Sequence, residues 1–199
     1  MYRGEKTKIL PVIIVLIVIA VAIAGLVAAG RAIFGGNQPT TTQPDISREA
    51  LLNTASSRSV QMTVRGPIVA EEDFRSYRLT VSSSERSLTT YSGYLIQPIA
   101  TRQLSNNTRA YDEFVHALDK ANLVKGEVFT GEKDDIRGIC ATGRVYEFAV
   151  MDGTNTVKRL WTSTCKGSPG SLKASVRQLE TLFLEQVPNN KELLKNIDL

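Results

Sequence analysis

The chain has one histidine, two cysteines and one tryptophan in 199 residues, and each scarcity removes a kind of chemistry. A single histidine, His116, cannot build a multi-histidine metal site. It also sits between Val115 and Ala117 on an amphipathic pattern, turned toward the polar side, and reads as an ordinary helix residue. Ser-His-Asp chemistry lacks a G-x-S-x-G elbow to present its serine. Glycine-rich phosphate loops are absent, and Asp152-Gly153-Thr154-Asn155 is too short for a calcium loop of the EF-hand type. No catalytic residue, metal ligand or cofactor is expected.

Charge is also missing where it matters most. Residues 9–30 carry none, and at about 1.5 Å per residue such a helix just spans a hydrocarbon core of about 30 Å. Arg3, Lys6 and Lys8 precede this run and only Arg31 follows closely, so the positive-inside bias puts residues 1–8 in the cytoplasm as a short tail. The expectation is a single-pass signal-anchor protein of the cell membrane with its main domain extracytoplasmic. The small residues Val27-Ala28-Ala29 leave cleavage as a signal peptide open. Lipoprotein anchoring is excluded, because no cysteine follows the apolar run.

The pI of about 9.1 invites a nucleic-acid reading. Setting Arg3, Lys6, Lys8 and Arg31 aside from the 24 basic residues, and Glu5 from the 20 acidic ones, leaves the outer part with 20 and 19. The excess positive charge therefore flanks the membrane span, and no nucleic-acid partner is expected. Within the span, Ala20, Ala24 and Ala28 repeat every four residues, as do Gly25 and Ala29, so helix pairing and a homo-oligomer are open to it.

Residues 31–45 hold Gly35-Gly36-Asn37-Gln38-Pro39 and a threonine run with no core-forming pattern, which reads as a stalk. Residues 46–199 then form one α+β domain of antiparallel sheet and packed helices. Asp45 offers a cap to a first helix with Leu51, Leu52 and Ala55. Val60, Met62 and Val64 alternate as a strand ended by Gly66-Pro67. Tyr77-Leu79-Val81 and Leu88-Thr90 flank the polar run 82–86 as a hairpin, giving three strands over 59–92. Asn107 caps a helix bearing Tyr111, Phe114, Val115, Leu118 and Ala121. It also belongs to the Asn106-Asn107-Thr108 stretch, whose sequon matters only in a eukaryotic source. Ser168-Pro169 predicts the start of a long helix with Leu172, Val176, Leu179, Leu182, Phe183 and Val187, stopped by Pro188. Asn190 starts a short last one with Leu193, Leu194 and Ile197.

Asp152-Gly153 predicts a two-residue hairpin turn of type I′. Centred there, Cys140 opposes Cys165, Glu147 opposes Lys158, Phe148 opposes Val157, Val145 opposes Leu160 and Arg144 opposes Trp161. Two cysteines facing each other outside a membrane predict a disulfide, although a bulge near Gly143 would shift the register. The same register gathers Arg144, Tyr146, Arg159 and Trp161 on one face, the candidate binding surface, since stacked guanidinium and indole give a large contact area. Phe148, Val157 and the cystine share that face, so core packing with arginines snorkelling at its rim explains it too and is the preferred reading.

Ser163-Thr164-Cys165-Lys166 fits the S-x-x-K spacing of penicillin-binding enzymes, but it falls on a strand and no S-D-N or K-T-G accompanies it. Glu71-Glu72-Asp73 and Asp134-Asp135 supply carboxylate pairs of the kind that hydrolyse glycans, both in predicted turns. Three functions follow in order of support. The first is a non-catalytic envelope module binding a protein or envelope polymer, the second a carboxylate-dependent envelope hydrolase. The third is a pilin-like assembly subunit, against which stands Ile9 where a glutamate is usual.

Overall fold

A computed structural model of the chain describes residues 14–15, 17–19, 46–94, 96–195, 197 and 199. Residues 14–15 and 17–19 are helical and exposed. The rest of the expected 9–30 span, the 1–8 tail, the 31–45 stalk and the Asp45 cap lie outside the described residues. Among those described, no helix is long and apolar enough to cross a membrane.

The unit from Asp45 to Leu199 is α+β. Six strands form one fully antiparallel sheet in the order β4-β3-β2-β1-β5-β6, where β1 is Arg58–Arg65, β2 Arg75–Ser82, β3 Glu85–Ser92, β4 Gln97–Ser105, β5 Val145–Asp152 and β6 Asn155–Ser163. Helices α1 (Ile46–Leu52), α2 (Thr108–Lys120), α3 (Val176–Leu184) and α4 (Asn190–Leu194) complete the unit. Period-2 alternation sends Val60, Met62 and Val64 of β1, Leu79 and Val81 of β2, Leu88 of β3, Phe148 and Val150 of β5 and Leu160 of β6 to one side. There they meet Leu51, Tyr111, Val115, Leu118, Leu179 and Phe183 from the helices in a single core. Phe183 is its hub, edge-on to Phe114 at 5.3 Å and 6.0 Å from Phe148. As predicted, the Asn107 side chain caps α2 by accepting from the Ala110 N–H at 2.9 Å.

Three expectations need correction. The meander has a fourth strand, β4, where three are predicted. It lies at the sheet edge, is exposed over most of its length and contains Pro98, so it lacks the alternation that marks a half-buried strand. Helix α3 starts at Val176 under a Ser175 cap, not at Ser168-Pro169. Leu172 belongs to the core, but it gets there on an extended segment: it bridges Gly126, and its N–H and that of Ser171 both donate to the Trp161 carbonyl.

The third correction concerns the β5–β6 hairpin. Asp152 pairs with Asn155, so the turn residues are Gly153 and Thr154, with Gly153 at φ 57° in the first central position as a II′ turn requires. A register shift between Val150 and Met151 then passes over Val157. Together the two changes place Glu147 opposite Trp161, Phe148 opposite Leu160 and Val145 opposite Ser163. Cys140 and Cys165 lie beyond the strand ends, yet they are bonded, with Cα atoms 5.5 Å apart. The predicted bridge is present although the register that suggested it is not.

Candidate functional site

The face of the sheet turned away from the helices carries Thr63 and Arg65 of β1, Ser76 and Arg78 of β2, Tyr91 of β3, Glu147 of β5, and Arg159 and Trp161 of β6. Loops cover parts of this face. Residues 66–74 connect β1 to β2, residues 93–96 connect β3 to β4, and the long α2–β5 connection contributes a 3₁₀ turn at Gly131–Asp134 and the segment 135–143.

An ion-pair chain crosses the strands beneath these loops. Glu147, its side chain 13% exposed, accepts from Arg65 Nε at 2.9 Å and from Arg159 Nε at 2.8 Å. Arg159 Nη1 then reaches Asp134 Oδ2 at 2.6 Å, tying the 3₁₀ turn to β6. Trp161 is buried under this cover, edge-on to Phe129 at 6.1 Å. The disulfide fixes the far end of the same connection to the residues after β6.

Between the 66–74 loop and the 135–143 segment lies a cleft of about 340 Å³, walled by Ile68, Phe74, Tyr94, Ile136, Ile139 and Val145, with Arg65 and Arg137 as its charged groups. Its size falls at the lower end of small-ligand sites, about 300–1,000 Å³. A second hollow of about 30 Å³ shares Arg65, Phe74 and Tyr94 with the cleft and adds Thr63, Ser76, Arg78, Tyr91 and Ile96. Their shared residues are tied together. Tyr94 stacks on Phe74 at 4.1 Å, its hydroxyl donates to the Val69 carbonyl at 2.8 Å, and its N–H donates to Glu71 Oε2 at 3.0 Å. Gly93, at φ 71°, lets Glu71 approach this closely, because a Cβ there would fall 2.2 Å from the carboxylate. Ile96 next to it has φ 59°, a conformation that costs a β-branched residue roughly 1–3 kcal/mol and clusters at functional sites.

Two arginines in the small hollow are half-satisfied in the same manner. Arg65 gives its Nε to Glu147, and Arg78 gives its Nε to Thr63 Oγ1 at 3.2 Å, with its guanidinium carbon 5.9 Å from the Tyr91 ring centre. Among the described residues, the terminal nitrogens of both have no hydrogen-bond partner, and Arg78 has no carboxylate partner.

The four residues expected to form one binding face divide between the two sides of the sheet. Arg159 and Trp161 share the loop-covered face, the first spent on Glu147 and Asp134, the second buried. Tyr146 is in the helix-side core, where burial above all pushes its phenol up, against the lowering effect of Arg144 and with a smaller push from Glu180. Arg144 donates to the Leu199 carbonyl. The Glu71 and Asp134 carboxylates are engaged as described, and Asp135 is clamped by Arg137, whose hydrogen bonds hold its carboxyl down at about 2. His116, half exposed, lies 3.7 Å from Asp112 on α2. Sequence reasoning missed Arg65, Arg78, Phe74 and Tyr94. The signal for the arginines was their place opposite the apolar positions of β1 and β2.

Among the described residues no group of three histidine, cysteine, aspartate or glutamate side chains is placed to hold a metal ion. Comparison with protein-family models and with curated proteins returns no match to this chain.

Proposed function

We propose that this chain is a non-catalytic, membrane-anchored envelope module that binds a protein or an envelope polymer through its loop-covered face. On this reading residues 9–30 sit in the bilayer with the N-terminus cytoplasmic, residues 31–45 are the stalk, and the α+β unit stands outside. The cleft carries the argument. It is apolar, walled by two loops pinned to each other through the 2.9 Å bond from the Ile68 N–H to the Ala141 carbonyl, and bordered by the exposed side chains of Ile68, Val69, Tyr94 and Ile96. Four large apolar side chains left in water around one concavity mark a binding surface more than a resting surface. The disulfide supports the extracytoplasmic placement, since such bonds persist in oxidising compartments.

The hydrolase reading needs a pair of carboxylates facing a cleft, one of them able to hold a proton near neutral pH. Asp134 and Glu71 are committed to Arg159 and Tyr94, and Asp135 at about 2 is ionised throughout that range. None of the three lines the cleft. The test is photocrosslinking from position 136 of the full chain in its own membranes, with mass spectrometry of the adducts. A defined protein or polymer attached there supports the module. Adducts no different from those formed by a probe at exposed position 116 on α2 count against it.

A further inference from the structure

We infer that the cleft and the small hollow are one site for an amphipathic carboxylate, its apolar body in the cleft and its head group on the arginines. This rests on reading the loop-covered face as a binding face and names the chemistry of what it takes. Among the described residues, every charged side chain lining the two hollows is cationic: Arg65, Arg78 and Arg137. Arg137 is neutralised by Asp135, and Arg65 shares Glu147 with Arg159. Among the described residues, Arg78 has no acid as a partner. Glu71 lies behind the wall with one oxygen on the Tyr94 N–H and the other toward Gly93.

The free groups are of one kind. Arg65 and Arg78 are held by their Nε atoms, so both forks are oriented, while their terminal nitrogens keep donors to spare. Oriented guanidinium donors match the two oxygens of a carboxylate. Size sets the head group. A space of roughly 10–15 Å³ admits one water, so about 30 Å³ admits a group of two or three heavy atoms and no bulky sugar or nucleotide. The body is set by the neighbouring walls, where isoleucines and the stacked Phe74–Tyr94 pair offer aliphatic and aromatic contact but no carboxylate. A ligand apolar throughout would leave the arginine donors unmatched, and a polar one would leave the isoleucines against water.

The probe is 4-phenylbutanoate, with 4-phenylbutanamide as its uncharged counterpart, titrated into the full chain in lipid nanodiscs with saturation-transfer NMR as the readout. The acid is expected to bind saturably and at least tenfold more tightly than the amide. Arg78→Gln should reduce that preference about tenfold, weakening acid binding more than amide binding. Ile139→Trp, which fills the cleft, should weaken both. Equal binding of acid and amide to the unaltered chain, or no saturable binding of either, overturns the proposal. If a partner crosslinks at position 136 while neither probe binds, the binding face stands and the assigned ligand chemistry is wrong.

Discussion

On the helix side of the sheet, β1, β2, β3, β5 and β6 send apolar side chains into one core, where the Tyr77 hydroxyl donates to Glu180 at 3.0 Å. On the loop side the same strands send out threonine, serine and arginine, and covering loops replace helices. There the charges are matched in a chain, Arg65 to Glu147 to Arg159 to Asp134, that among the described residues does not reach Arg78. One face is closed by packing. The other is closed only at its β6 end and open where β1 and β2 meet their loop. Folding stability resides mainly on the first face, and the capacity to hold something resides on the second.

That division predicts a ranking of effects. Phe183→Ala removes the hub of the closed face and should cost about 3–5 kcal/mol, the usual range for a buried phenylalanine, measured by urea unfolding. A comparable loss from any single loop-side substitution would break the comparison. Reducing the Cys140–Cys165 bond, or replacing both cysteines by serine, should cost roughly 2–4 kcal/mol by freeing a loop in the unfolded chain. Because Cys140 also lines the cleft, the same change should raise amide exchange over 135–143 more than in the helix-side strands.

Glu147→Gln should be milder, about 1–2 kcal/mol, because it leaves Arg65 and Arg159 without their shared anion but Arg65 is partly in water. The smallest effect near neutral pH is expected of Tyr77→Phe, about 1 kcal/mol for the hydrogen bond to Glu180. Its consequence grows in alkali. Burial first, then Glu180, raises the Tyr77 phenol well above its ordinary value of about 10, and burial does the same to Tyr111. A raised folded-state value means that these phenols contribute stability fully below about pH 10, lost as the pH climbs toward the folded value. Tyr77→Phe should therefore flatten the alkaline limb of stability against pH. An unchanged limb would mean that Tyr77 ionises as freely in the fold as out of it.

The closed face was legible in the sequence because packing writes a period into it. Val60-Met62-Val64 and Tyr77-Leu79-Val81 announce strands, and Tyr111, Phe114, Val115 and Leu118 announce α2, because each must keep one side dry. Strand β4 was illegible because an exposed edge need not alternate, and Leu172 misled because an extended segment reached the core at a position that also fits a helical stripe. The hairpin register failed at two local features, a II′ turn in place of I′ and an irregularity at Val157, and a one-residue slip suffices to send every side chain to the other face. That slip separated Arg144 and Tyr146 from Arg159 and Trp161. The cleft was illegible because it joins three loops distant in sequence, and no period records such a meeting.

The sheet order carries a consequence for how the chain reaches this state. Strands β1 to β4 form a meander of neighbours, and β5 with β6 forms a hairpin, so each block can assemble from contacts close in sequence. The seam between the blocks is β1 against β5, where Arg65 and Glu147 are 82 residues apart. Closing that distance costs chain entropy before any pairing rewards it, so the seam is predicted to set the folding rate. Conservative truncations at Met62 or Phe148, which face each other across it, should slow refolding, whereas truncation of Leu104 on the outer meander should act mainly on unfolding. The strand that borders the open cleft is thus also the one along which the meander meets the hairpin.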